Sequence, residues 1–134
     1  MQANVNASRP GTTEQAPIVA IVDDDQAVCS SLKFSLELEG FTVKTFDSGA
    51  ELLHASGLAG CSCFVVDQRM PAMSGLEVIR KLRERNVAAP AILITGHPNA
   101  ALSARAASAE IPIVEKPLLG NALIEKIREA CGRA

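Results

Sequence analysis

The sequence predicts an α/β fold: an open, doubly wound parallel sheet of five strands with helices on both faces, in strand order 2-1-3-4-5. Three observations predict it. From Ile18 onward, five short apolar runs alternate with five longer amphipathic stretches, each long enough for a helical crossover between parallel strands. The first run, Ile18–Val22 (IVAIV), is continuous and β-branched rather than alternating, as strands buried on both faces are. The alternating region fits in fewer than the 134 residues of the chain, whereas a closed (βα) barrel takes about 250. Right-handed crossovers leave few strand orders, and 2-1-3-4-5 is a common one.

The elements follow in order. Residues 1–16 are polar, are punctuated by Pro10 and Gly11, and read as a flexible tail; the folded domain is expected over 17–134. Ile18–Val22 ends abruptly in Asp23, Asp24 and Asp25, the last expected to cap the helix that follows. Val28, Leu32, Leu36 and Glu39 fall at helical spacing, and Gly40 supplies the C-terminal stop. Phe41–Phe46 is the second strand. Ser48 and Glu51 form a capping box that opens a short second helix. Cys63–Val66 runs into Asp67. Ser74 and Glu77 form another capping box, and Leu76, Ile79 and Leu82 make the buried stripe of the third helix. Ala91–Ile94 runs into Thr95. The stretch 99–110 is rich in alanine and has Leu102 as its one large apolar side chain. Ile111–Val114 leads to Glu115, Lys116 and Pro117. A last helix carries Leu123, Ile124 and Ile127 on one face and is released at Gly132.

Composition narrows the function. With 48% hydrophobic residues and a net charge of −2, the chain is expected to fold as one domain without metal or disulfide. No apolar run approaches the ~20 residues of a membrane span, and the N-terminus lacks a signal-like apolar core. Thirteen basic residues against 15 acidic ones, with no Trp or Tyr and only 4 Phe, argue against nucleic-acid or anionic-membrane partners. The expected compartment is the cytoplasm. Cys29, Cys61, Cys63 and Cys131 lack zinc-ligand spacing and are read as buried or half-buried reduced thiols. His54 is read as a surface residue. Met70 and Met73 are read as loop packing, and His97 as facing the mouth of the site.

In an open sheet of this order, ligands bind beyond the carboxyl ends of the strands, where the order reverses between strands 1 and 3. Asp23 and Asp24 end the first strand and Asp67 the third, so these three converge on one crevice. Thr95 and Lys116 approach from the ends of strands 4 and 5. Three close carboxylates raise one another's pKa unless a cation sits among them. An oxygen-only set without His or Cys suits a hard ion, Mg²⁺ above all. Carboxylates, Mg²⁺, a lysine and a hydroxyl together suit phosphoryl transfer, with one carboxylate as nucleophile and an aspartyl phosphate as product.

These residues resemble the receiver domains of two-component response regulators. The resemblance is carried by VDDD after the first strand, D-Q-R-M-P-x-M-S-G from Asp67 to Gly75, TGH from Thr95 and EKP ending at Pro117, and it covers about residues 17–131. It is strongest toward receivers that are usually joined to LuxR-type helix-turn-helix domains. It implies a flavodoxin-like (βα)5 fold with Asp67 as phosphoacceptor. Asp24 and Asp67 are implied as carboxylate ligands of Mg²⁺, the Arg69 carbonyl as a third ligand, and Asp23 as holding metal-bound water. Thr95 is implied to hydrogen-bond the phosphoryl group and Lys116 to pair with its oxygens. Gly96 is implied to keep that side open, and the Lys116–Pro117 bond to be cis. The implied partners are a sensor histidine kinase or a phosphotransfer protein, docked on the first helix, and a downstream protein target.

Two departures bear on signalling. Family members usually carry an aromatic residue three positions before the lysine, where this chain has Ile113. Their Gly-Ala pair before the fifth strand appears here as Ala109-Glu110. The expectation is therefore a phosphoacceptor rather than a conventional enzyme, acting as a stand-alone receiver without a DNA-binding output domain and switching without an aromatic rotor. Two alternatives stand beside it. One is a haloacid-dehalogenase-type phosphatase with Asp23 as nucleophile and Asp25, Thr95 and Lys116 in support. The other is a rarely phosphorylated binding scaffold.

Overall fold

A computed structural model describes residues 16–118 and 120–132. The expected tail lies, but for Ala16, outside the described residues. Five strands alternate with five helices: β1 Ile18–Val22, α1 Gln26–Leu38, β2 Thr42–Phe46, α2 Gly49–His54, β3 Cys63–Asp67, α3 Gly75–Glu84, β4 Ala91–Thr95, α4 Ala100–Ser108, β5 Ile113–Glu115 and α5 Ala122–Ala130. All pairings are parallel and the strand order is β2-β1-β3-β4-β5, the predicted 2-1-3-4-5. Among the described residues, no helix is long and apolar enough to cross a membrane.

The continuous apolar runs are explained by burial on both faces, since successive side chains of a strand point to opposite sides. Val19, Ile21, Cys63, Val65, Ile92 and Ile94 pack on one face with Leu32 and Leu36 of α1 and with Leu123 and Ile127 of α5. Ala20, Val22, Phe64, Val66 and Leu93 pack on the other with Leu52, Val78, Ile79, Leu82, Leu102 and Ala106, from α2, α3 and α4. Met70 and Met73 pack at the margin of this second cluster, as expected of loop packing. Cys29, Cys61 and Cys63 are buried free thiols and Cys131 is half-buried. Burial pushes the Cys63 thiol up to about 12, far from a reactive thiolate.

Helix ends refine the sequence reading. Asp25 caps α1 by accepting the Ala27 and Val28 N–H groups. Ser74 and Glu77 form the complete reciprocal box at α3. At α2, Ser48 accepts the Glu51 N–H, but the Glu51 carboxylate reaches past Ser48 to the Asp47 N–H. α1, α3 and α4 all end in the same two-bond C-terminal motif, with the left-handed position taken by Gly40, Asn86 and Glu110 in turn. Phe41 belongs to the first of these motifs, because its N–H is bonded to the Leu36 carbonyl, so β2 starts at Thr42. β5 is shorter than Ile111–Val114 predicts for a similar reason. The Ile111 N–H closes the α4 motif on the Ala106 carbonyl, and Pro112 has no N–H to give, though its carbonyl accepts the Leu93 N–H.

Candidate functional site

Parallel strands place all their carboxyl ends at one edge of the sheet, and that edge carries the predicted residues. The Asp23 N–H is held by the Phe46 carbonyl, so the residue continues the line of β1 as its carboxylate turns inward, almost wholly buried. One Asp23 oxygen accepts the Asp25 N–H at 2.9 Å and the other accepts Lys116 Nζ at 3.0 Å. Asp67 closes β3 and is likewise buried. Its Oδ1 lies 3.0 Å from the same Lys116 Nζ. Asp24 stands exposed beside them, and one carboxylate oxygen from each of Asp23, Asp24 and Asp67 falls within a 4.8 Å cluster.

Electrostatics follow from this crowding. Burial, and then the charges of Asp23 and Asp24, push the Asp67 carboxyl above its usual value, against the pull of Lys116. Burial also works against the Lys116 charge, but its bonds to Asp23 and Asp67 outweigh that and raise the lysine above its ordinary pKa. One ammonium therefore stands against three carboxylates. The donor set is oxygen-only, which fits a hard divalent cation such as Mg²⁺. The Arg69 carbonyl accepts no hydrogen bond among the described residues.

The remaining predicted residues frame the crevice. Arg69, Gly96 and His97 line a cleft of about 240 Å³ together with Asp23, Asp24, Asp67 and Lys116. Thr95 sits just behind Gly96, buried at the end of β4, and is not part of the cleft wall. Its Oγ1 accepts the His97 N–H at 3.1 Å, and its own O–H has no partner among the described residues. The Lys116 N–H donates to the Thr95 carbonyl at 2.8 Å, tying the ends of β4 and β5 together. The Lys116–Pro117 bond is cis, as the resemblance implies. His54 lies outside the site, exposed on α2, with Nδ1 2.8 Å from the Ala50 carbonyl.

Two supporting residues escaped the sequence reading. Gln68 clamps the loop after Asp67: its N–H donates to Ile94, its carbonyl accepts from Gly75, and its Oε1 accepts the Leu76 N–H at 3.0 Å. The sequence signal is only its place beside Asp67, since nothing in a lone glutamine announces three bonds. In the sequence Gly75 stands only as the last residue of the D-Q-R-M-P-x-M-S-G motif. Its larger role is close approach, because a Cβ there would stand 2.5 Å from the Asp67 carbonyl oxygen.

Comparison with known proteins agrees with this geometry. The response regulator receiver domain family matches residues 19–128. The response regulator protein TmoT of Ectopseudomonas mendocina is 37% identical over 123 residues, covering 91% of this chain and 56% of that protein. The transcriptional regulatory protein FixJ of Rhizobium meliloti is 37% identical over 113 residues, covering 84% and 55%. The chain thus spans about half the length of these curated relatives. The crystal structure of FixJ-N superposes with a TM-score of 0.75 at 34% identity, over 90% of this chain and 98% of that one. A receiver domain from Clostridium thermocellum reaches a TM-score of 0.80 at 23% identity, over 87% and 95%, which speaks to the fold.

Proposed function

Because the chain belongs to the family of response regulator receiver domains, whose members work with histidine kinases, we propose that it accepts a phosphoryl group from a phosphohistidine donor onto Asp67 and signals through protein contacts. The observation that carries this reading is the single Lys116 ammonium shared at 3.0 Å by Asp23 and Asp67 in a cluster of three carboxylates. In the transfer, an Asp67 carboxylate oxygen forms a bond to phosphorus as the phosphorus–nitrogen bond of the donor breaks. The bonding pair leaves with the donor imidazole. Lys116 gives up its contact with the Asp67 oxygen and pairs instead with a phosphoryl oxygen, still held by Asp23. The free Thr95 O–H donates to a second phosphoryl oxygen, and Gly96 leaves that side open to the donor.

Asp24 and Asp67, with the Arg69 carbonyl, are the residues that would hold Mg²⁺ directly, and Asp23 would hold it through water. When bound, the ion neutralises the crowded carboxylates and the incoming phosphoryl charge. Donor docking is assigned to α1, where Phe34 and Leu38 are exposed one helical turn apart. Such a pair on a solvated helix offers an apolar contact for a donor helix.

The phosphatase alternative needs Asp25 as a second catalytic carboxylate, yet Asp25 Oδ1 caps α1. In the proposed reading the receiver unit is 17–134, it works in the cytoplasm, and its partners are a histidine kinase or phosphotransfer protein and a downstream protein, not nucleic acid or membrane. A near-neutral net charge of −2 supports that choice of partners. The stand-alone expectation is tested separately, by immunoblot of native extract: a 14.1 kDa species supports it, and a species of about twice that mass replaces it with a two-domain regulator.

The decisive experiment for the chemistry is incubation with Mg²⁺ and acetyl phosphate followed by intact-mass analysis. The wild type should gain ~80 Da, and Asp67→Asn should gain nothing. An adduct that persists in Asp67→Asn, or no adduct at all, overturns the proposal.

A further inference from the structure

A cleft larger than the one at the carboxylates lies elsewhere in the described residues. It is a groove of about 440 Å³ between α3 and α4, within the range of about 300–1,000 Å³ for ligand sites. Its floor is apolar, made by Leu76 and Ile79 of α3 and by Ile111 after α4. On the α4 side it is lined by Arg105 and by Ala109 at the C-cap of that helix. A methyl group at 109 leaves unfilled the space that a leucine would occupy.

The rim of the groove is cationic. Arg83 of α3 donates to the Ala109 carbonyl at 2.7 Å and makes no ion pair among the described residues. Arg105, exposed on α4, makes no ion pair or hydrogen bond among the described residues. The two glutamates of the rim are already engaged: Glu84 pairs with Arg80 at 2.8 Å, and Glu77 accepts the Ser74 N–H in the capping box. The Glu77 bond is to a neutral N–H and leaves its charge in place, so Arg80, Arg83 and Arg105 outnumber Glu77 and Glu84 by one over an apolar floor, on a chain that is net negative.

We propose that the α3–α4 groove docks an acidic amphipathic segment of a partner protein, with apolar anchors on Leu76, Ile79 and Ile111 and carboxylates on Arg83 and Arg105. The charge of the rim selects acidic over basic partners. The open walls favour a peptide laid along the groove over a small molecule, which would need enclosure. Both walls also start at the site. Leu76 is bonded to Gln68 beside Asp67, and α4 follows the Thr95–His97 turn. The link between phosphorylation and docking, though not the groove itself, rests on the function proposed above.

The test uses a synthetic helical peptide with leucines along one face and glutamates flanking them, and a counterpart with lysines in place of the glutamates. Each is titrated into the full ¹⁵N-labelled chain, with and without fluoroberyllate. The glutamate peptide should shift resonances in 76–84 and 102–111. Its affinity should fall about ten-fold in Arg105→Glu and by a smaller factor in Arg83→Gln, which keeps a donor for the Ala109 carbonyl. Equal binding of the lysine peptide overturns the proposal. So do unchanged affinity in Arg105→Glu, shifts confined to Phe34 and Leu38, or self-association of the chain through the groove. Both variants should still gain the ~80 Da adduct. Failure of the wild type to gain it strikes the phosphotransfer reading alone and leaves the groove standing.

Discussion

Replacing Asp67 by asparagine should make this protein more stable in the absence of metal, even as it abolishes phosphorylation. The attraction between Asp67 and Lys116 at 3.0 Å comes to about 5–6 kcal/mol at an effective dielectric near 20. Repulsion from Asp23, within 4.8 Å, returns about 3 kcal/mol or more on the same scale. Asp24 adds a smaller share, because it is exposed and screened. The charge terms leave a net attraction of about 2 kcal/mol or less, so burial decides the sign, and burial is the first cause of the raised Asp67 pKa. Asparagine keeps the shape and sheds the buried charge. A gain of about 2 kcal/mol is expected, or roughly 5–10 °C in Tm for a domain of this size. A carboxyl whose folded pKa is raised favours folding when protonated. That contribution is present in full below the ordinary value of 3.8 and is lost as pH rises through the folded value. The Asp67→Asn advantage should therefore be full near neutrality and close on acidification. Mg²⁺ at about ten times its Kd should add about 1.4 kcal/mol to the wild type and far less to the variant. Thermal unfolding followed by circular dichroism, with and without chelator across this pH range, measures all of it. A variant that melts at or below the wild type in chelator near pH 7, or a gap indifferent to pH, refutes the reasoning.

Three further outcomes are expected. Phe34→Ala combined with Leu38→Ala should slow transfer from a phosphohistidine donor by about ten-fold while leaving acetyl phosphate labelling and Tm unchanged; equal loss with both donors would remove α1 as the docking face. Gly75→Ala drives a Cβ to 2.5 Å from the Asp67 carbonyl and 2.7 Å from Leu93 Cδ1. It should cost about 1–3 kcal/mol in chemical denaturation and slow acetyl phosphate labelling; wild-type stability and labelling would show that the loop yields freely. Glu110→Gly relieves a left-handed residue at φ 59° and should stabilise by about 1 kcal/mol, read as a shift in the denaturation midpoint at constant m-value.

The fold was legible because its signals are local and repeated. Strands buried on both faces must be apolar at every position, and IVAIV, CFVV and AILI are. The carboxylates were legible because a parallel sheet converts five separate strand ends into one edge, so residues far apart in sequence become neighbours by topology alone. The less legible parts depend on main-chain partners. Nothing in FTVKTF shows that the Phe41 N–H is already spent on Leu36, or in SGAE that Glu51 reaches Asp47 instead of Ser48. Gln68 makes the same point at the site, since its three bonds are to backbone groups of other elements. The groove was half legible: the alanines of α4 announced weak packing, but not which cations would border the space they leave.

The absence of an aromatic residue at Ile113 bears on how a signal could leave the site. Ile113 is half-buried against the α3–α4 side of the core and pairs with Leu93. A branched aliphatic side chain held there has no large surface to swing between buried and exposed positions. On the proposed chemistry the message passes instead through α4. Its hold on the core is essentially one leucine, and burying one leucine contributes about 1.5–3 kcal/mol, a sum that new phosphoryl contacts can match. Its two ends are held unequally. The C-terminal end is fastened by Arg83 on the Ala109 carbonyl and by the Ile111 N–H on Ala106, whereas the N-terminal end is held by the Asn99 cap and by the His97 N–H on Thr95 Oγ1. The last of these involves the hydroxyl that the phosphoryl group would recruit. On that proposal, turning it inward would free or drag the start of α4 while its end stays fixed to α3, so the helix would pivot and reshape the groove between the two helices.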